Sequence, residues 1–206
     1  EKKAFEAMGV SYVDANREMY ELKNLGIQPY YKQGIHWSGA ASAKFLEGLN
    51  GEYHFMPGRM QVALNLTSDS PVGGEIDLYN LANVYENPLY EQFWETSIRF
   101  EDNTEEYRNI FILGTSFSGW IVEILNGRFS DDTPKFNELV HYDYLNAGYY
   151  YHDGIMDELE MSYDLSQTNI EQAVLNSDVI IFENNSSYIP DSYYLVAEYL
   201  DNILCE

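Results

Sequence analysis

Two short apolar runs constrain the fold of this chain most strongly. Residues 109–113 (Asn-Ile-Phe-Ile-Leu) and 178–183 (Asp-Val-Ile-Ile-Phe-Glu) are continuously apolar in their centres. Such runs are typical of strands that are covered on both faces in a parallel sheet. Helical segments lie between them, and strands that alternate with helices favour βαβ crossovers. The sequence therefore predicts an α/β fold built around a mostly parallel sheet.

Weaker patterns predict the remaining elements and their organisation. Helices are predicted at residues 1–8, 15–25, 39–49, 75–85, 119–125, 168–175 and 192–204, and strands at 10–14, 60–66 and 139–151. No repeat, low-complexity segment or linker interrupts the chain. We therefore expect one domain over residues 1–206, with residues 50–100 as an insertion or lid. The chain begins on Glu-Lys-Lys rather than Met, so we also expect a fragment of a longer protein.

Charge and cysteine content narrow the classes of partner. The chain has 34 acidic and 11 basic residues and a net charge of −23. A phosphate backbone needs Lys and Arg to neutralise it, so nucleic-acid binding is disfavoured, as is docking on an anionic membrane surface. The single cysteine, Cys205, cannot form an intramolecular disulfide. No apolar run reaches the roughly 18 residues that span a bilayer.

Ser116 is the first candidate catalytic residue. It follows the buried run at 109–113 and precedes a helical segment, so it is predicted at the carboxyl edge of the sheet, where α/β proteins place their sites. The N–H groups and dipole at the start of the helix would stabilise an oxyanion formed when Ser116 attacks an ester. The alternative is that Ser116 or Ser118 only caps the helix.

A serine nucleophile needs a base, and His36 is the best placed of four histidines. It lies in a loop between Gly34 and Trp37, before a small-residue helix that Ser38 could cap. We expect surface positions for His54 and His152, with the lining of a carbohydrate groove as the alternative for either. For His141 we expect a structural or exposed position.

Four short motifs in this order resemble one family. The run Tyr30-Tyr31-Lys32-Gln33-Gly34-Ile35-His36-Trp37-Ser38 resembles the Asp-x-His-Trp-Thr/Ser segment of SGNH-hydrolase-like polysaccharide O-acetyltransferases of the alginate-acetylation (AlgX/AlgJ-like) family. Residues 113–118 are similar to its nucleophile segment, 74–78 to its acidic Asp-Leu segment, and 179–185 to its C-terminal strand with a trailing Glu. The resemblance implies a flavodoxin-like three-layer SGNH-hydrolase-like fold with a circularly permuted motif order, since the His precedes the Ser.

The same resemblance implies a function. Ser116 would be the nucleophile and His36 the general base in the transfer or removal of acetyl groups on extracellular or cell-wall polysaccharide, through an acetyl-serine intermediate. It implies no metal and no organic cofactor. The expected partners are the polysaccharide, an acetyl donor and a membrane-bound acyl-transfer partner outside this chain. The expected location is extracellular, at the cell surface or periplasmic.

The chain departs from the family where the triad acid is expected. That acid lies two residues before the His, a position that Gly34 holds in this sequence. An acid is needed to orient the imidazole and to stabilise its protonated form. Asp14, Asp77 and Glu183 are the candidates, and we rank Asp14 and Glu183 first; a backbone carbonyl is a further alternative.

Other site residues follow from weaker signals. The Ser116 N–H is the expected oxyanion donor, and Asn146 or Asn184 could supply the amide that SGNH-type enzymes add. Trp37, with the tyrosines at 149–151, could form a sugar platform, and Lys32 is a further candidate for substrate binding. The alternatives are a turn role for Asn146 and ordinary packing for the aromatic residues.

Two rival functions remain on the same fold. One is a non-catalytic carbohydrate-binding or surface-interaction module with a degenerate triad. The other is a flavodoxin-like domain for a nucleotide or another small molecule, which the lack of a Gly-rich phosphate cradle disfavours. A carboxylate at the ring of His36 would favour the enzyme.

Overall fold

The computed structural model describes residues 3, 7, 9–32, 34–56, 58–67, 73–82, 93–101, 107–130, 136–143, 147–152, 155–159, 170–184 and 202. The chain forms two compact units, the first of Glu1–Gly48 and Leu64–Thr96 and the second of Leu49–Ala63 and Ser97–Glu206. Asn146, most of the predicted helix at 1–8 and all but one residue of that at 192–204 lie outside the described residues.

The first unit begins with two capped helices. Helix α1 is Ala15–Asn24, and Asp14 caps it because its Oδ1 accepts a hydrogen bond from the N–H of Arg17 at 3.3 Å. The predicted strand at 10–14 is wrong: these residues form no regular secondary structure before the helix. Helix α2 is Gly39–Tyr53, and the Ser38 Oγ accepts from the Ala41 N–H at 3.1 Å, as the sequence predicted.

Shorter elements complete the first unit and run on into the second. A 3-10 helix, Gly73–Ile76, leads into α3, Asp77–Leu81, within the predicted helix at 75–85. Strands β1, Met60–Thr67, and β2, Phe93–Phe100, pair in a two-stranded sheet. The strand predicted at 60–66 is confirmed. Helix α2 and both strands contribute residues to each unit.

The second unit is built on a five-stranded sheet. Its strands are β3, Ile110–Gly114; β4, Glu138–Asp143; β5, Ala147–His152; β6, Ile155–Leu159; and β7, Val179–Phe182. Their order is β6-β5-β4-β3-β7, in which β3 pairs in parallel with β4 and β7. The other pairs are antiparallel. The α/β prediction is confirmed, but the sheet is mixed and not mostly parallel, since only β4, β3 and β7 run in parallel. Strands β4 and β5 also replace the single strand expected over 139–151.

Helices cover the two faces of β3 and β4. Helix α5, Ile170–Leu175, places Ile170 and Val174 in a buried cluster with Phe111, Leu113 and Tyr142. Successive residues of a strand point to opposite faces, so Gly114 and His141 lie on the other face. There they contact Ser118, the first residue of helix α4, Ser118–Leu125.

One strand is less buried than its sequence predicts. All five residues of β3 are buried, whereas Ile180 and Phe182 of β7 are 42% and 44% exposed. Strand β7 ends the strand order of the described residues, and β3 is the one strand described beside it. The expectation that 178–183 forms a fully buried strand is wrong, because a continuous apolar run does not distinguish a central strand from an edge strand.

Candidate functional site

The loop that carries His36 is held by its own backbone. The Ser38 N–H donates to the carbonyl of Pro29 at 2.7 Å, and the Ser38 hydroxyl donates to the carbonyl of Gln28 at 2.7 Å. The Gly34 N–H donates to the carbonyl of Tyr31 at 3.2 Å. These bonds close the loop on itself, so His36 extends from a constrained turn just before α2.

Trp37 anchors this loop in the core. Its indole N–H donates to the hydroxyl of Tyr30 at 2.8 Å, and its ring meets Phe45 edge-on with 5.4 Å between centroids. The side chain is buried. The prediction that Trp37 offers a platform to a sugar is therefore wrong, because its faces pack inside the protein.

Asp77 supplies the carboxylate at the ring of His36. Its Oδ2 lies 2.5 Å from Nδ1 of His36, and its Oδ1 accepts from the N–H of Ile35 at 2.8 Å. Both side chains of the His–Asp pair are 20% exposed. Asp77 thus binds the ring and the backbone of adjacent residues. A carboxylate on Nδ1 favours the proton there, which leaves Nε2 as the basic nitrogen.

A second acid on the same segment holds the start of α2. Oε1 of Glu75 accepts from the Gly39 N–H at 2.8 Å, and the Glu75 side chain is buried. A carboxylate at this end of a helix satisfies an otherwise unpaired donor and complements the helix dipole. Glu75 and Asp77 lie two residues apart and together attach residues 73–81 to the His36 loop.

The ranking of triad acids is corrected by these contacts. Asp14 and Glu183 were placed ahead of Asp77, but Nδ1 of His36 pairs with Asp77. Asp14 instead caps α1, and the Glu183 carboxylate binds Thr115. Asp77 thus reaches His36 from a segment 41 residues along the chain.

Ser116 lies in a tight turn between β3 and α4 in the second unit. It is half-buried, and the N-cap position of α4 falls on Phe117, whose side chain makes no capping bond. The capping explanation therefore does not account for Ser116. Nor does it account for Ser118, whose hydroxyl donates to the carbonyl of Thr115 at 2.6 Å.

A buried Ser–His pair lies beneath this turn. Oγ of Ser118 is 2.8 Å from Nε2 of His141, and both residues are buried. Burial lowers the pKa of His141 from 6.5 to about 4, so its ring is neutral at pH 7. The structural expectation for His141 is confirmed and the exposed alternative is wrong. Ser118 and His141 support the turn, while Ser116 is the more accessible serine.

Glu183 binds the residue before Ser116. Its Oε2 accepts from both the N–H and the hydroxyl of Thr115, each at 2.7 Å. Burial raises the pKa of Glu183, the two bonds from Thr115 oppose that rise, and the charge of Asp143 adds to it. The pattern of apolar residues carried no signal for these long-range contacts. The sequence reasoning included Thr115 in the nucleophile segment but gave it no role of its own.

Lys32 is a further predicted site residue that the structure describes. Lys32 and His54 are exposed, as predicted for His54, which adopts φ 50°. The side chain of His152 lies outside the described part of the chain. Within the described ranges, no three His, Cys, Asp or Glu side chains are grouped to hold a metal ion. None of the described helices is long and apolar enough to cross a membrane.

Comparison with known proteins gives structural similarities only. No protein-family model matches the chain, and no curated protein matches it. The chain is similar to the O-acetyltransferase domain of AlgJ from Pseudomonas putida, with a TM-score of 0.41 and 14% identity over 93% of this chain and 68% of that chain. It is also similar to AlgX from Pseudomonas aeruginosa, with a TM-score of 0.38 and 15% identity over 89% of this chain. It spans 43% of that AlgX chain.

Proposed function

We propose that this chain is a serine-dependent O-acetyltransferase or acetylesterase that acts on polysaccharide through an acetyl-serine intermediate. Ser116 is the nucleophile, His36 the general base, and Asp77 the acid that orients His36. The chain needs no metal or organic cofactor in this scheme, because serine chemistry requires only the base, its acid and oxyanion donors.

The proposed reaction proceeds in two balanced halves. The Ser116 Oγ forms a bond to the acetyl carbonyl carbon, and its proton passes to Nε2 of His36. The tetrahedral intermediate breaks its bond to the donor oxygen, which leaves with the proton from His36. A sugar hydroxyl or water then attacks the acetyl carbonyl carbon and gives its proton to His36. The bond between the acetyl group and the Ser116 Oγ breaks, and His36 returns a proton to that oxygen. The Ser116 N–H is the proposed oxyanion donor.

The observation that carries the proposal is the contact between His36 and Asp77. A surface histidine has no need of a carboxylate at 2.5 Å on Nδ1 that is fixed in turn by a second bond to the backbone of Ile35. That geometry fixes both the tautomer and the orientation of the ring, which is what a general base requires. It argues against a degenerate triad, since the acid missing from position 34 has a substitute.

The substrate class rests on the motif resemblance. The segments around His36, Asp77, Ser116 and Glu183 resemble those of polysaccharide O-acetyltransferases, which transfer acetyl groups outside the cytoplasm. We therefore include in the proposal an extracellular, cell-surface or periplasmic location. A membrane-bound acyl-transfer partner outside this chain would deliver the acetyl group.

Acetylation of Ser116 is the direct test. The protein is incubated with p-nitrophenyl acetate, quenched and digested, and the peptide that contains Ser116 is examined by mass spectrometry. We expect an added acetyl group on wild type and none on Ser116→Ala or His36→Ala. Ser177→Ala serves as the matched control, because Ser177 only donates to the carbonyl of Ala173 at the end of α5. Equal p-nitrophenol release by Ser116→Ala and wild type would refute the nucleophile assignment.

A second measurement separates the enzyme from a carbohydrate-binding module. Binding of acetylated and deacetylated polysaccharides is measured by calorimetry on wild type and Ser116→Ala. An enzyme should release acetate from the acetylated polymer, or acetylate the bare polymer when an acetyl donor is added. Binding without either reaction in wild type would favour the non-catalytic module.

A further inference from the structure

We infer that Glu183 is a positioning residue that sets the conformation of the Ser116 turn through Thr115. This inference rests on the proposed role of Ser116 as the nucleophile. It gives Glu183 a role different from that of a triad acid, because the carboxylate acts on the backbone next to the serine and not on a histidine.

Glu183 binds the end of β3 with both its backbone and its side chain. Its N–H donates to the carbonyl of Leu113 at 2.9 Å, which continues the parallel pairing of β7 with β3. Its Oε2 then accepts from the N–H and the hydroxyl of Thr115, each at 2.7 Å. One residue therefore attaches to the two positions that flank Gly114.

Thr115 is fixed on every polar group it has. Glu183 binds its N–H and hydroxyl, and the Ser118 hydroxyl binds its carbonyl at 2.6 Å. The peptide planes on both sides of Thr115 are therefore set, and Thr115 is fully buried. Ser116 is the next residue, so its backbone starts from a plane that cannot rotate without breaking one of these bonds.

The space around the turn leaves little room for another conformation. A Cβ on Gly114 would lie 2.5 Å from both Cβ and Oγ of Ser118 and 3.1 Å from Oε2 of Glu183. The carboxylate and the serine thus pack directly against the strand end. Such packing restricts the backbone that carries the proposed nucleophile, and a shift of about 1 Å can cost about 10²-fold in rate.

Replacement of Glu183 by glutamine distinguishes a positioning role from a role that needs the negative charge. The amide oxygen of Glu183→Gln can still accept from both donors of Thr115, whereas the side chain of Glu183→Ala accepts from neither. A triad acid would behave differently, because an amide in its place costs about 10⁴-fold in turnover. Activity is therefore lost in Glu183→Ala under either role, whereas Glu183→Gln keeps it only if Glu183 is a positioning residue.

The experiment measures kcat and KM for p-nitrophenyl acetate on matched variants. We expect Glu183→Gln to keep a kcat close to that of wild type, and Glu183→Ala to lose about 10²-fold in kcat with little change in KM. Thr115→Val removes the hydroxyl bond to Glu183 and the weak bond that the hydroxyl accepts from the Phe117 N–H at 3.4 Å. It keeps the bond from the Thr115 N–H, so it should lose less. Asp178→Ala is the control: Asp178 accepts from the N–H of Asn109 at 2.8 Å at the other end of β3, so its loss should lower stability alone.

Each contrary result overturns the inference. Wild-type kcat in Glu183→Ala would show that the contact does not position Ser116, and an inactive but folded Glu183→Gln would show that Glu183 acts through its charge. An equal loss in Asp178→Ala would mean that general destabilisation is the cause. If Glu183→Ala does not fold, wild-type kcat in Thr115→Val decides against the inference.

Failure of the proposed function gives a different result. Wild type would then form no acetyl-Ser116 at all, and the role of Glu183 is read from hydrogen exchange of the Thr115 amide by NMR. Faster exchange in Glu183→Ala but not in Glu183→Gln supports positioning of the turn, and equal exchange in the three proteins refutes it.

Discussion

Replacement of Asp77 by asparagine tests the proposed site most directly. The amide oxygen of Asp77→Asn can still accept from the Ile35 N–H, a bond of 2.8 Å in the wild type. The amide nitrogen would face Nδ1 of His36, where the carboxylate lies at 2.5 Å. Because an amide nitrogen donates, it pairs only with an unprotonated Nδ1. The proton of the neutral ring then lies on Nε2, which ceases to be a base.

We expect Asp77→Asn to lower kcat strongly and the free energy of unfolding only slightly. In Ser–His–Asp enzymes, the wrong tautomer costs about 10⁴-fold in kcat, or about 5 kcal/mol of transition-state stabilisation. The Asp77 and His36 side chains are 20% exposed, so water screens their interaction, and with the Ile35 bond retained we expect a stability loss of about 1 kcal/mol or less. The kcat on p-nitrophenyl acetate and the melting temperature by circular dichroism measure the two effects.

Asp14→Asn is the matched control for this substitution. Asp14 accepts from the Arg17 N–H as the cap of α1, and asparagine caps a helix as well as aspartate does. We expect no change in kcat or in melting temperature. Wild-type kcat in Asp77→Asn would refute the argument, and a loss in Asp14→Asn as deep as that in Asp77→Asn would restore Asp14 as the acid.

Two further substitutions test the frame of the site. Gly114→Ala should cost about 1–3 kcal/mol of unfolding free energy, because its Cβ would meet Ser118 at 2.5 Å; Gly119→Ala, with nothing within 4 Å, is the control in urea denaturation. Glu75→Ala should cost about 1–3 kcal/mol, since it leaves the buried Gly39 N–H without its acceptor. Equal stability of Glu75→Ala and wild type would mean that another acceptor replaces the carboxylate.

Local signals predicted the parts of the site that depend on neighbouring residues. The apolar run before Ser116 predicted a buried strand and a turn, and Ser38 predicted the start of α2; both are confirmed. The contacts at His36 and those at the Ser116 turn each join distant segments: Asp77 binds His36 across 41 residues, and Glu183 binds Thr115 across 68. Helix and strand periodicity carries no information on such pairs, so the sequence alone could not choose among the three acids.

Burial was predicted less well than secondary structure for a related reason. The apolar runs of β3 and β7 look alike in sequence, but β3 has strands on both sides and β7 ends the described order. Trp37 likewise could have lain on the surface or in the core. The burial of a residue depends on whether another element covers it, as Phe45 of α2 does for Trp37. The residues next to it in the sequence do not show which element that is.

The buried pair of Ser118 and His141 makes stability depend on pH with a defined sign. Burial lowers the pKa of His141 from 6.5 to about 4, so between these values the unfolded chain binds a proton that the folded chain does not. Stability is therefore full above pH 6.5 and falls as the pH drops towards 4, by roughly 3 kcal/mol. The pKa of Glu183 is raised by burial, so the folded chain binds this proton more readily than the unfolded chain does. Its contribution to stability therefore has the opposite sign and decreases as the pH rises.

His141→Gln isolates the histidine contribution from that of Glu183. A glutamine amide is neutral at every pH in this range and can still bond to the Ser118 hydroxyl. The unfolding free energies of wild type and His141→Gln are measured in urea as a function of pH. We expect that of wild type to fall relative to that of His141→Gln as the pH drops from 6.5 to 4, and the two curves to be parallel above pH 6.5. The comparison cancels Glu183, which both proteins share. Parallel curves over the whole range would mean that His141 is protonated as readily in the folded chain as in the unfolded one, and that Ser118 does not face a neutral ring.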